Sequence, residues 1–188
     1  MSVALPTVWW ANPAGWADWS RMNVFAGDFN GDGRADFGHF YNYDGCETKM
    51  WIHYSTGSAL GSPFVGWDGG PNNSCWDRNT LVIGDFTGDG RDDVGTFYRY
   101  DGCQTRLWIL AATASGFDTF GSPFDSGPGT WCGDLVRPAA ADFNNDGKVD
   151  ISVYYINGTN QAKLWRFTST GPSFNAPTLT YNGSVAAA

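Results

Sequence analysis

The stretch Asp28-Phe29-Asn30-Gly31-Asp32-Gly33-Arg34-Ala35-Asp36 decides the fold, because it returns twice at a fixed interval. The second copy is Asp85-Phe86-Thr87-Gly88-Asp89-Gly90-Arg91-Asp92-Asp93 and the third Asp142-Phe143-Asn144-Asn145-Asp146-Gly147-Lys148-Val149-Asp150, with 85 − 28 = 142 − 85 = 57. A constant period of this size is the signature of stacked supersecondary units, none of which can bury its apolar face alone.

Each copy has oxygen-bearing side chains at its first, third, fifth and ninth positions and glycine at its sixth. A hard cation such as Ca²⁺ takes six to eight oxygens, which alternate carboxylates on a tight loop can supply, with the seventh-position carbonyl adding one. The expected ligands are Asp28, Asn30, Asp32, Arg34 and Asp36; Asp85, Thr87, Asp89, Arg91 and Asp93; and Asp142, Asn144, Asp146, Lys148 and Asp150. The second copy is the poorest, since Thr87 replaces asparagine. The loops begin like an EF-hand, but His39, Thr96 and Val153 replace its closing glutamate, and β-rich runs such as Asn23–Gly27 and Phe37–Tyr41 flank them instead of helices. Asp, Asn and Gly also favour plain hairpin turns, yet three copies in register, each with four oxygen positions filled, favour three calcium sites.

The runs Gly27-Asp28-Phe29-Asn30-Gly31-Asp32-Gly33, Gly84-Asp85-Phe86-Thr87-Gly88-Asp89-Gly90 and Ala141-Asp142-Phe143-Asn144-Asn145-Asp146-Gly147 resemble the FG-GAP/VCBS repeat family. Such repeats form the calcium-loop β-propeller blades of integrin α-subunit heads, propeller lectins and many secreted bacterial proteins. The resemblance implies an all-β fold of propeller blades and points to sugar binding, as in propeller lectins that hold sugars between blades. It leaves the ligand open, because fold does not give function.

The chain has 188 residues, the size of one domain. We divide it into an N-terminal segment at 1–22 and blades at 23–79, 80–136 and 137–188. The first blade is expected as strands Asn23–Phe29, Asp36–Tyr43, Lys49–Ser55 and Pro63–Trp67. The second is expected as Leu81–Phe86, Asp93–Tyr100, Arg106–Leu110 and a weak strand near Phe124. The third is expected as Ala139–Phe143, Asp150–Ile156, Lys163–Thr168 and Thr178–Tyr181. Four antiparallel strands per repeat make one blade. Trp51, Trp108 and Trp165 keep the period, as do Tyr41, Tyr98 and Tyr155, and are expected to pack between blades. Val8-Trp9-Trp10 reads as a thirteenth strand for twelve places. Because propellers close with four to eight blades, the chain is expected either to self-associate, two copies giving six blades, or to belong with blades outside this sequence.

Cys46 and Cys103 are 57 apart, as are Cys75 and Cys132. Four cysteines allow three pairings, and the period favours Cys46–Cys75 with Cys103–Cys132. Disulfides and calcium both indicate a secreted, extracellular protein. Met1–Pro6 lacks a basic start and an apolar core, so the chain is expected to be a mature segment following an added Met. Aromatic residues make up 16% and the net charge is −8, a surface unsuited to nucleic acid or anionic membranes. No stretch has the roughly 20 apolar residues of a spanning helix.

No nucleophile elbow, zinc-protease helix or phosphate loop is present, so no catalytic residues are expected and an enzyme is the weaker reading. Binding is the stronger. If strands alternate in direction, the calcium loops lie at one end and the cysteines at the other. That second end carries Trp19, Arg21, Tyr43, Asp44, Trp76, Arg78, Tyr100, Asp101 and Trp131, beside Trp16, Trp67 and Asn73. Aromatic faces beside carboxylate, amide and guanidinium groups suit sugar recognition. The alternatives are an adhesion module with a protein ligand or a scaffold with no small ligand. Sequons at Asn72, Asn157 and Asn182 carry little weight in an Asn/Gly/Ser-rich chain.

Overall fold

Strand formation follows the repeat. The computed structural model describes residues 7–11, 18–156 and 161–184; Trp16, the Asn157 sequon and Met1–Pro6 lie outside them. Three four-stranded antiparallel sheets are present, each one blade. The first comprises β1 (Met22–Gly27), β2 (Asp36–Tyr43), β3 (Glu47–His53) and β4 (Phe64–Asp68). The second has β5 (Asn79–Gly84), β6 (Asp93–Tyr100), β7 (Gln104–Thr113) and β8 (Gly116–Asp125). The third has β9 (Val136–Ala141), β10 (Asp150–Ile156), β11 (Gln161–Phe167) and β12 (Thr178–Ser184). The fold class is therefore all-β, in blade repeats.

Register repeats as faithfully as sequence. Gly27 faces Asp36, Gly84 faces Asp93 and Ala141 faces Asp150. His39, Thr96 and Val153 face Trp51, Trp108 and Trp165. The third strand of every blade shifts register against the fourth beside that tryptophan, a bulge that bends the strand and strengthens its twist.

Three strand expectations need correction. The first strands end at Gly27, Gly84 and Ala141, two residues early, so Phe29 and Phe86 lie in the loops and are nonetheless buried. The third strand of the second blade runs to Thr113, beyond the expected Leu110. The fourth strand near Phe124 is not weak: β8 spans ten residues. Alternation in Gly116–Asp125 is broken by glycine and proline, and pairing with the long β7 supplies the order the pattern lacks.

By compactness the chain forms two units, Met1–Asp28 with Asp32–Trp76, and Phe29–Gly31 with Asp77–Ala188. In the second unit, Val82, Phe97, Leu107 and Ile109 of one sheet, with Phe86 of its acidic loop, pack on Val136, Ile151, Val153, Tyr155 and Phe167 of the next. Phe97 meets Phe167 edge-on at 5.8 Å between ring centroids, the geometry aromatic quadrupoles favour. Trp165 packs against this core, as inter-blade packing requires. In the first unit, His39 and His53 occupy the places of Val153 and Phe167, and both are buried.

Disulfides join Cys46 to Cys75 and Cys103 to Cys132, each across 29 residues. Cys46 and Cys103 sit in left-handed conformation, φ 56° and 54°, after Gly45 and Gly102, φ 76° and 73°. Two consecutive positive φ angles make the tight reversal that hairpins prefer. Backbone bonds stitch turn to connection: Ser74 N–H donates to Cys46 O at 3.0 Å and Gly129 N–H to Gly102 O at 2.8 Å.

Replacing Cys103 and Cys132 together by serine frees a loop of 29 residues, which should cost about 3–4 kcal/mol in the chain-entropy model; chemical denaturation measures it. A second expectation concerns acid. Burial, then the neighbouring His53, pushes His39 down to about 4, so between the ordinary value of 6.5 and that value the unfolded chain takes up a proton the folded chain refuses. The stability it contributes is present above pH 6.5 and is lost as pH falls toward 4. His39→Val, which restores the residue of the third repeat, should flatten the fall in melting temperature between pH 7 and 4.5. An equal fall in both proteins would rule this out.

Candidate functional site

The acidic loops join β1 to β2, β5 to β6 and β9 to β10. Each is shaped by its first aspartate. Asp85 accepts from the N–H groups of Gly88, Asp89 and Gly90 at 2.6, 3.0 and 2.8 Å. Asp28 accepts from Asp32 and Gly33 at 3.0 and 2.7 Å, and Asp142 from Asp146 and Gly147 at 3.1 and 2.9 Å. Gly33, Gly90 and Gly147 stand at φ 81°, 86° and 84°, where a Cβ is strained.

The ninth-position aspartates, Asp36, Asp93 and Asp150, are no more than 2% exposed. Each accepts from the backbone N–H 19 residues on, at the end of the third strand: Ser55 at 2.7 Å, Ala112 at 2.9 Å and Ser169 at 2.8 Å. Asp93 accepts two more, from Phe86 and Thr87 at 3.0 Å each. These residues tie loop to sheet. The fifth-position carboxylates meet the basic seventh residue, Arg34 with Asp32 at 2.7 Å, Arg91 with Asp89, and Lys148 with Asp146 at 3.4 Å. Sequence reasoning credited Arg34, Arg91 and Lys148 only with carbonyls; their charge opposite an aspartate two residues back was the missed signal.

The donor chemistry fits a hard cation in two respects. Burial first, and then the charges of Asp85 and Asp89, push Asp93 up to about 6, so three carboxylates of one loop feel one another. Asp150 Oδ2 is buried with no hydrogen-bond partner. In the third loop the N–H of Gly147 holds Asp142 below the usual carboxylate range, and that of Lys148 does so for Asp146. Among the described residues no three His, Cys, Asp or Glu side chains form a ready metal-ligand cluster; the loop carboxylates turn to backbone N–H groups and to the neighbouring cation.

At the disulfide-bearing end, a single 3₁₀ turn precedes the first strand of each blade. Trp19–Arg21 and Trp76–Arg78 have the same Trp-x-Arg pattern one repeat apart. Arg21 reaches Asp44 at 3.2 Å and Arg78 reaches Asp101 at 3.1 Å. The two aspartate side chains are 90% and 92% exposed and Trp19 is 74% exposed, so charge and indole are offered to solvent together. Tyr43 and Tyr100 are set beside them by cross-strand neighbours. Lys49 lies over the Tyr43 ring at 5.3 Å and Arg106 over Tyr100 at 5.2 Å, while the Trp108 indole donates to the Tyr100 hydroxyl at 3.3 Å.

Trp131 has a different placement. Its ring stacks on Tyr155 at 5.1 Å and lies 5.2 Å from Phe124 and 5.8 Å from Trp165. It packs against the core of the second unit. The third repeat has Gly133 and Leu135 where the others have the tryptophan and arginine, so the described residues form two such clusters.

No protein-family profile matches the sequence, and no curated protein matches it. Among solved structures, the chain is similar in fold to a lectin from Agrocybe aegerita, described as specifically recognising non-reducing terminal N-acetylglucosamine. The TM-score is 0.62 at 18% identity over 88% of this chain. This chain spans 39% of the lectin's length, and likeness at that identity establishes the architecture alone.

Proposed function

We propose that the chain is a secreted, carbohydrate-binding, lectin-like module of the FG-GAP/VCBS type whose acidic loops hold structural calcium. The observation that carries the reading is the repeated cluster of Trp19, Arg21, Tyr43 and Asp44 and of Trp76, Arg78, Tyr100 and Asp101, each with its arginine held on its aspartate. A sugar offers C–H faces to an indole and hydroxyls to a carboxylate and a guanidinium. The ion pair holds those groups in place before the ligand arrives, which lowers the ordering cost of binding. The architecture shared with a lectin supports the same reading, and two disulfides suit an oxidising, extracellular setting. In the loops, Asp28, Asp32 and Asp36 with Asn30 and the Arg34 carbonyl, and their equivalents, would hold calcium, which would offset the repulsion among these carboxylates.

A glycan array in calcium tests the binding reading, with glycans ending in N-acetylglucosamine the first set to score. The double variant Arg21→Ala with Arg78→Ala should lose about tenfold or more in affinity, while its melt stays within about 1 kcal/mol because exposed ion pairs contribute little. No glycan bound by the folded protein would reject the reading, and unchanged binding by the double variant would move the site elsewhere.

For calcium, a ligand binding only the folded state stabilises by about 2.7 kcal/mol per site at a hundredfold excess over Kd. Chelator should lower the melting temperature, and Asp89→Ala should remove part of that shift. Identical melts with calcium and with chelator would end the calcium assignment.

A further inference from the structure

Unit two contains a filled junction between blades, and its residues can be carried along the repeat to the equivalent positions of the third and first blades. At the filled junction Phe86 meets Phe174 at 5.7 Å, Phe97 meets Phe167 at 5.8 Å, and the Ser169 hydroxyl donates to Phe86 O at 2.6 Å. Val149 fills the space beside Gly84, where an added Cβ would lie 2.6 Å from its Cγ1. Adding 57 to the first-named side gives the outer face of the third blade: Phe143, Tyr154 and Ala141 in place of Phe86, Phe97 and Gly84. Subtracting 114 from the other side gives the front face of the first blade: Leu60, His53, Ser55 and Ala35 in place of Phe174, Phe167, Ser169 and Val149.

We infer that these two faces mate, the outer face of the third blade of one molecule docking on the front face of the first blade of a second copy. The outer face lacks its cover: Phe143 is 46% exposed, whereas its equivalents Phe29 and Phe86 are 0% and 1% exposed. The front face is hollow, with a cavity of about 570 Å³ between the sheet and Trp9 and Trp10. Trp10, the equivalent of Phe124 (124 − 114), lies 4.6 Å from His53 much as Phe124 lies 5.1 Å from Phe167. Trp10 thus stands where a preceding blade would place Phe124, although Val8-Trp9-Trp10, expected as a thirteenth strand, forms none.

Changes across the two faces are matched in size and polarity. The pair Gly84 and Val149 becomes Ala141 and Ala35, a methyl gained on one side and two lost on the other. The dry pair Phe97 and Phe167 becomes Tyr154 and His53, and His53 Nδ1 lies 3.1 Å from Gly61 O, so Nδ1 carries the proton and Nε2 can accept from a phenol. Ile109 becomes Arg166 and Val153 becomes His39, and Arg166 Nε and His39 Nδ1 are both buried without a hydrogen-bond partner. One is a donor and the other can accept, on opposite faces. A wetter, hydrogen-bonded version of the filled junction suits surfaces that meet water when apart. Trp10 of the second copy and Tyr181 of the first both index to the place of Phe124, so β12 must shift when the faces meet; its Leu179 and Tyr181 are 44% and 51% exposed and are the weaker anchors.

The test uses the 188-residue chain in solution. Light scattering from 1 to 100 µM should give a mass of two or more chains at the upper end. Phe143→Glu, at an exposed position, should keep the melt of the parent and weaken association about a hundredfold, as loss of an interface anchor does. Cysteines at Ala35 and Ala141 should form a disulfide between chains, because the Cβ of a residue at Gly84 would lie 3.1 Å from that of Val149, near bonding range. A covalent dimer or a ladder supports the interface. A monomer throughout the range with free introduced thiols overturns it, and so does a monomeric band in which both thiols are consumed, which would put the mating faces within one chain.

Discussion

One buried carboxylate per repeat holds each blade together. Asp93 begins β6, is fully buried, and accepts from Phe86 and Thr87 in the acidic loop and from Ala112 at the far end of β7. Removing it would leave the Ala112 N–H unsatisfied in the interior and the Thr87 N–H unpaired in the half-buried loop, each at about 1–3 kcal/mol, while the Phe86 N–H keeps the Gly84 carbonyl at 2.9 Å. Because the loop is tied down, Phe86 is drawn inward although it belongs to no strand, and there it reaches Phe174 of the next blade. Polar anchoring and inter-blade packing are thus one arrangement.

The other end of the blade is held by covalent and backbone links. Disulfides tie the β2–β3 and β6–β7 turns, which carry Asp44 and Asp101, to the connections at Cys75 and Cys132, and Arg21 and Arg78 reach those aspartates from 3₁₀ turns. The left-handed Cys46 and Cys103 are uncommon for non-glycine residues, and the bonds that tie each turn to its connection hold them there. This end presents the exposed carboxylates of Asp44 and Asp101 and the exposed indole of Trp19.

Where sequence reasoning failed, competing interactions explain it. Trp131 looked like Trp19 and Trp76, an aromatic residue in a connection near a cysteine, yet the second unit supplies Tyr155, Phe124 and Trp165 to enclose it. The broken alternation of β8 suggested a weak strand, and a ten-residue partner overrode it. Phe86 read as a strand end because an apolar residue beside a strand normally extends it, whereas here Asp93, seven residues on, accepts from its N–H and turns the backbone inward.

The sequence by itself determined the repeat, the blade, the acidic loops and the grouping of cysteines, since all of these follow from residues recurring every 57 positions and need no knowledge of distant neighbours. Tertiary structure alone decided which aromatic residues are core and which face solvent, and that Asp36, Asp93 and Asp150 act as buried anchors of the sheet. It also decided that the arginines and aspartates of the disulfide-bearing end meet as pairs. The physical reason is that burial and pairing depend on what lies across a sheet or a junction, and periodicity along one chain says where equivalent residues stand without saying what stands opposite them.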